Sequence, residues 1–314
     1  MSSVDFIVPT LRRPDHLRRC LNSIIAQSVP TVSVLVGVRQ DDAESQLVIN
    51  DYSKEHPVVA VQVEGVGVIG SMNSCLRHSS SSFIALVDDD VELPSHWLAV
   101  MLDRLSCDPS AVASGGRDLL MDHPEMRREE SLTNDVGKIW WFGRLSGNHH
   151  RGGGTVRAVD VLRGSNILFD GGFIRKVGFD SRLAGQGAQV NWELAIALAA
   201  SNFGKHLLYD PECKVIHHVA PRHDNDSVHR GIFDWGGTRD MAFNETFVFL
   251  AHGKGLKRIA PITWQFLIGS ATCPGIARVL VDAVREPRHL LHRFTATLAG
   301  RFGAFKTWLC GGKC

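Results

Sequence analysis

The chain has 314 residues, 44% of them hydrophobic, which suits one large α/β unit with appendages better than a single small domain. Its formal net charge is +1, from 34 Lys and Arg against 33 Asp and Glu, so no global electrostatic case exists for nucleic acid, and none is expected as a partner. Seven scattered cysteines without Cys-x-x-Cys spacing argue against a disulfide framework and a zinc site, and for a reducing compartment.

Val4 to Val8 reads as a short strand broken by Pro9-Thr10. It starts too early for a signal peptide to precede it, so the expected location is cytoplasmic. Pro14 to Gln27 places Leu17, Leu21, Ile24 and Ile25 on one helical face. Val32 to Val38 is a second buried strand, with Asp41 and Asp42 close behind it. Gln46 to Lys54 reads as a short helix and Val58 to Val63 as a third strand. Gly70 to His78 reads as a helix running into a serine-rich turn. Strands alternating with helices predict an α/β fold with a wound, mostly parallel sheet flanked by helices.

The run Phe83-Ile84-Ala85-Leu86-Val87-Asp88-Asp89-Asp90 is the most informative segment. Its apolar part lacks polar alternation, as a strand buried on both faces does. Three acids at its carboxyl end repel one another, and that end is where open α/β sheets place ligands. Hard oxygen ligands there suit Mg2+ or Mn2+, and such an ion suits a diphosphate. A solvated acidic turn is the alternative.

The middle of the chain is less regular. Leu105 to Gly154 reads as polar loops with a Trp140-Trp141-Phe142 cluster and a glycine run. A helix is predicted over Val190 to Ser201, and a strand through Val215 and Ile216 into His217-His218. Toward the C-terminus, Ile259 to Ala277 carries no charge and is flanked by Lys254, Lys257, Arg258, Arg278, Arg285, Arg288 and Arg293. Prolines and glycines interrupt it, so a helix packed on the core is expected ahead of a membrane-surface helix, and a membrane span is disfavoured. Peripheral membrane contact through 259–293 is the partner reading of that stretch, at the inner face of the membrane.

Taken together, these segments resemble the family 2 glycosyltransferases with a GT-A fold, over roughly residues 4 to 225. The motifs in order are Phe6 to Thr10 with Arg12, Asp41-Asp42, the turn and helix Gly65 to Asn73, and Asp88-Asp89-Asp90. They continue with Arg163 to Asn166, Val177 to Asp180, and Pro211 to His217. The resemblance implies a glycosyltransferase domain over 1–225, with a nucleotide-binding half (1–105) and an acceptor-side half (106–225). Residues 226–314 would form a helical C-terminal extension. It implies an inverting transfer from a nucleotide-sugar donor, UDP-sugar first, to a glycan or glycolipid acceptor, with a divalent cation.

On this reading Asp90, Asp88 and His217 hold the metal, and Pro9, Thr10, Arg12, Asp41, Asn73, Asp88 and Asp89 face the donor. Gly164, Asn166, Trp140, Trp141 and Gln189 face the acceptor. Arg222, His223, Asp224 and Asp226 would form a lid or a plain polar loop. Two positions depart from the family pattern: Met72 stands where an Arg is common, and Ala188-Gln189 where a Glu-Asp pair supplies the base. Glu193 is then the expected base, one helical turn from Gln189, with Asp180 as the alternate. The same departures leave open a non-catalytic sugar-nucleotide or glycan-binding protein. A nucleotidyltransferase is a third reading, disfavoured by the absence of a glycine-rich, Lys-bearing opening loop.

Overall fold

The computed structural model describes residues 3–121, 132–218, 220, 233–285 and 289–311. The first part alternates regularly through β1 (Val4–Pro9), α1 (Pro14–Ile25), β2 (Ser33–Val38), α2 (Ala43–Tyr52), β3 (Val58–Gln62), α3 (Gly67–His78) and β4 (Phe83–Val87). Then come β5 (Val91–Glu92), α4 (Trp97–Cys107), β6 (Ala111–Leu120), and a small hairpin of β7 (Lys138–Ile139) and β8 (Leu145–Ser146). β9 (Arg157–Val159), β10 (Asn166–Asp170), α5 (Gly171–Val177), α6 (Trp192–Asn202) and β11 (His206–His217) complete the sheet region. α7 (Trp235–His252), α8 (Leu256–Leu267), α9 (Ile276–Arg285) and α10 (Leu290–Leu309) follow.

The main sheet runs β3-β2-β1-β4-β10-β6-β11-β5, with β9 also paired to β11. The first four strands are parallel, β10 is antiparallel to both neighbours, and β6 and β11 are parallel to each other. Because one reversed strand separates β4 from β6, the carboxyl ends of β1, β2, β4, β6 and β11 open on the same edge. Both faces are covered, as the unbroken apolar run of β4 predicts. Ile7, Leu86 and Phe169 point toward α3, α6 and α7, while Phe6, Val8 and Val87 point toward α1 and α4.

The expectation of polar loops from Leu105 is overturned by α4 and by the ten-residue strand β6, whose first eight residues are buried. β6 reads poorly in the sequence because it is built from small residues. A Cβ on its Gly116 would lie 1.8 Å from the Cys213 carbonyl oxygen, where β11 shifts register between Asp210 and Lys214. α6 begins at Trp192, two residues later than predicted, because Gln189 and Asn191 take left-handed φ values of 43° and 71°.

The C-terminal helices are not detached from the sheet. α7 supplies Phe247, Val248, Phe249 and Leu250 to the same core as β10 and α6, and α10 supplies Ala304. The predicted boundary at 225–226 lies outside the described residues. The uncharged stretch breaks into α8, a turn at Gly269, and the start of α9. Among the described residues, no helix is long and apolar enough to cross a membrane.

Candidate active site

The triple aspartate forms the link between β4 and the two-residue strand β5. Asp89 turns inward, where it accepts hydrogen bonds from the Thr10 hydroxyl at 2.7 Å and from Arg13 Nη1 at 2.9 Å. Burial pushes its carboxyl up to about 6 in spite of Arg13. Asp89 therefore braces the loop after β1. Asp88 and Asp90 are left beside His217, each able to offer one ligand atom within 4.8 Å of the others.

Strand pairing puts His217 there. β5 sets Val91 opposite His217, so Asp90 falls beside the imidazole. The His218 N–H donates to the Asp90 carbonyl at 2.9 Å, and the Ala220 N–H donates to Asp90 Oδ2 at 3.1 Å. His217 Nε2 lies 3.2 Å from Asp90 Oδ1, and its Nδ1 lies 3.6 Å from Asp118 Oδ2. His218 meets Glu92 at 3.0 Å instead.

Sequence reasoning missed Asp118. It sits on β6 opposite Val215, two residues before His217, and so on the face that His217 shares. It is fully buried, accepts from the Ser165 hydroxyl at 2.6 Å, and meets Arg163 Nε at 3.1 Å. Burial opposes its charge, yet Arg163 and His217 hold it well below the usual carboxylate range. An Arg-Asp step within a run of small residues was the available signal. Arg13, also missed, links Asp89 to Asp90 at 2.9 and 3.6 Å.

The charges of the cluster are uneven. Burial and then the Asp90 charge raise Asp88 to about 7. Burial likewise opposes the Asp90 charge, but His217 and the Ala220 N–H outweigh it and hold Asp90 at about 2. Burial favours neutral His217, but Asp118 and Asp90 raise it to about 10. Asp118 Oδ1 is buried without a hydrogen-bond partner, while Asp90 Oδ1 and His217 Nδ1 have only ion contacts, at 3.2 Å to His217 Nε2 and 3.6 Å to Asp118 Oδ2. Buried polar atoms are normally well satisfied, so this sparse pairing beside two repelling carboxylates fits a divalent cation.

The remaining predicted residues fall into three groups. Near the aspartates, Pro9 ends β1 and Thr10 is engaged by Asp89. Arg12 has a left-handed φ of 53°, and its guanidinium pairs with exposed Asp41 at 3.0 Å, which Arg39 also holds. Glu193 lies in the first turn of α6, partly buried. Burial raises its pKa, opposed by its own N–H, the Gly164 N–H and the Arg163 charge. Gly164 is required here, because a Cβ would stand 2.2 Å from the Trp192 ring and 3.0 Å from Glu193 Oε1. Arg163 thus acts electrostatically on both Glu193 and Asp118.

A second group is engaged in internal ties. Asn73 lies within α3 and exchanges hydrogen bonds with the Phe179 backbone at 2.8 and 3.1 Å. Gln189 accepts from the Ile69 N–H at 3.0 Å and donates to the Leu183 carbonyl at 3.1 Å. It precedes the helix, so it does not share a helical face with Glu193. Asn166 accepts from Trp97 Nε1 at 2.8 Å. Asp180 is clamped by Arg182 at 2.7 Å and His252 at 2.9 Å and held well below the carboxylate range, which is poor chemistry for a base.

Third, the Trp140-Trp141 pair sits against the C-terminal region. Trp141 is 74% exposed, both rings contact Phe142, and Phe142 contacts Trp264 of α8 at 5.7 Å. Arg222, His223, Asp224 and Asp226 lie outside the described residues.

Comparison with known proteins agrees with this architecture. The mannosyltransferase PcManGT from Pyrobaculum calidifontis, solved in complex with GDP-Man and Mn2+, superposes with a TM-score of 0.53 at 16% identity. The match covers 99% of this chain and 88% of that one, so the two share a GT-A-like fold. Residues 5–158 match the family model for glycosyl transferase family 2. The glucosyl-dolichyl phosphate glucuronosyltransferase of Haloferax volcanii is 23% identical over 235 residues, 72% of this chain and 69% of its own length. The succinoglycan biosynthesis protein ExoM of Rhizobium meliloti is 30% identical over 117 residues, 36% of this chain and 38% of its own. Residues 5–158, just under half of the chain, thus resemble a family 2 glycosyltransferase domain, and the relatives read the chain as a glycosyltransferase.

Proposed function

We propose that the enzyme is an inverting, divalent-cation-dependent glycosyltransferase that passes a sugar from a nucleotide donor to a lipid-linked or polysaccharide acceptor. The observation that carries this reading is the Asp88–Asp90–His217 cluster at the carboxyl edge of the sheet, whose ligand atoms lie within 4.8 Å of one another. A divalent cation bound there supplies positive charge where the diphosphate leaving group gains negative charge. Asp88 and Asp90 would provide its oxygen ligands and His217, once the bound ion has displaced its proton, a nitrogen ligand held in orientation by Asp118.

Glu193 takes the proton of the attacking hydroxyl in this reading. Its raised pKa makes its carboxylate a better base than an exposed one. Inversion rests on the family resemblance. The lipid-linked or polysaccharide acceptor rests on the names of the two relatives, and a lipid-linked one would place the reaction at the inner face of a membrane.

A panel of UDP- and GDP-sugars with Mn2+ tests the proposal. Sugar transfer or donor hydrolysis, lost in Asp90→Ala and in excess chelator, is the expected result. Full turnover in that variant or in chelator overturns the cation requirement. Binding of a sugar nucleotide without turnover favours the binding-protein reading, and pyrophosphate release from a nucleoside triphosphate favours a nucleotidyltransferase.

A further inference from the structure

α9 is built inside out. In a surface helix of a soluble protein the apolar stripe faces the core and the charges face water. Here Ile276 and Val281 are exposed, Leu280 is 71% exposed and Val284 87%. An acid turns inward instead: Asp282 is buried and meets Nε of the half-buried Arg278 at 3.3 Å. The neighbouring α8 repeats the theme on a smaller scale, with Leu256, Ile259 and Leu267 exposed along one side.

Charge is segregated in the same region. Residues 254–314 contain ten Lys and Arg against two acids, whereas residues 1–253 contain 24 against 31. Near-neutrality of the whole chain conceals a basic C-terminal region attached to an acidic body. Arg301 is buried, but exposed Lys254 and Lys257 flank exposed Leu256, so a second copy seated on this face would oppose like charges. A neutral lipid surface would leave the charge unused. An anionic bilayer takes both the apolar side chains and the positive charge.

We propose that α9 and the outward side of α8 dock on the surface of an anionic lipid bilayer, with α9 lying in its plane. At ten residues α9 is about 15 Å long, half the thickness of a hydrocarbon core, so it lies along the membrane and does not cross it. The attachment combines shallow apolar insertion with attraction to headgroups. It goes beyond the proposed reaction and depends on neither the metal nor the identity of the sugar.

Flotation of the full chain with phosphatidylcholine vesicles, with and without phosphatidylglycerol, tests this at low and high salt. Binding to the mixed vesicles is expected, at least about tenfold tighter than to phosphatidylcholine alone and weakened by salt. The double variant Leu280→Glu/Val284→Glu should lose at least about tenfold in vesicle affinity, because it puts charge where apolar groups insert. Both positions are exposed, so circular dichroism and donor hydrolysis should stay as in the parent chain. Lys254→Gln/Lys257→Gln should weaken binding to anionic vesicles and reduce its salt dependence. Equal binding to both vesicle types overturns the proposal, as does undiminished flotation of the glutamate variant. So does a dimer in sedimentation velocity that the glutamate variant dissolves while neither protein floats.

Discussion

At the scale of single residues, the site depends on how His217 is held. The imidazole stands between Asp90 and Asp118, and Asp118 is in turn fixed by Ser165 and Arg163. Such outer partners orient a ligand and raise its basicity. Asp118→Asn is therefore expected to weaken Mn2+ binding by about 10–100-fold, measured by calorimetry or by the Mn2+ resonance signal, with the far-ultraviolet spectrum unchanged. Glu193→Gln should lower transfer by about two to four orders of magnitude while donor affinity stays constant. Retained transfer in that variant would remove Glu193 as base.

Asp180 should behave differently. Its folded pKa lies below the unfolded value of about 3.9, so its contribution is fully present above that pH and is lost as pH falls through the folded value. Asp180→Asn should cost about 2 kcal/mol of stability at pH 7, with the deficit shrinking below about pH 4, and should leave kcat unchanged. Denaturant titrations at several pH values would measure this.

The acids and His217 were legible because they terminate recognisable apolar strands. Asp118 was not, since its strand lacks bulky residues. Gln189 misled because helical spacing was assumed across residues whose left-handed backbone, at Gln189 and Asn191, the sequence does not announce.

At the scale of elements, unbroken apolar runs for the strands and helical periodicity for α1 predicted the first seven elements within a few residues. β6 shows the limit of that signal. Its small residues exist to admit Leu162 beside Gly115 and the bulged carbonyl of Cys213 beside Gly116, contacts made by segments far along the chain. Hydrophobicity read along one strand cannot reveal a partner that arrives a hundred residues later. Gly116→Ala is expected to destabilise the fold by more than about 3 kcal/mol, since backbone and not a flexible side chain blocks the new methyl. A large fall in Tm or in soluble yield would be the readout. A near-normal Tm would mean that the bulge in β11 yields easily. α9 is the opposite case: its amphipathic pattern is plain, but only the fold reveals which side faces out.

At the scale of the whole molecule, the parallel half of the sheet carries the triple aspartate, and the last strand carries the histidine that completes its cluster. Ala220, which follows that strand, meets the Asp90 carboxylate across 130 residues of chain. A cation gripped from both sides would act as a removable cross-link between the early and late parts of the polypeptide. Because the grip exists only when β11 has docked on β5 and β6, ligand energy is available to the finished fold and not to its fragments. Mn2+ should therefore raise Tm progressively with concentration in the wild-type chain and much less in His217→Ala, as thermal melts across a metal titration would show. The short strand β5 thus gives the protein an assembly checkpoint: a chain that has not closed its sheet cannot hold the ion.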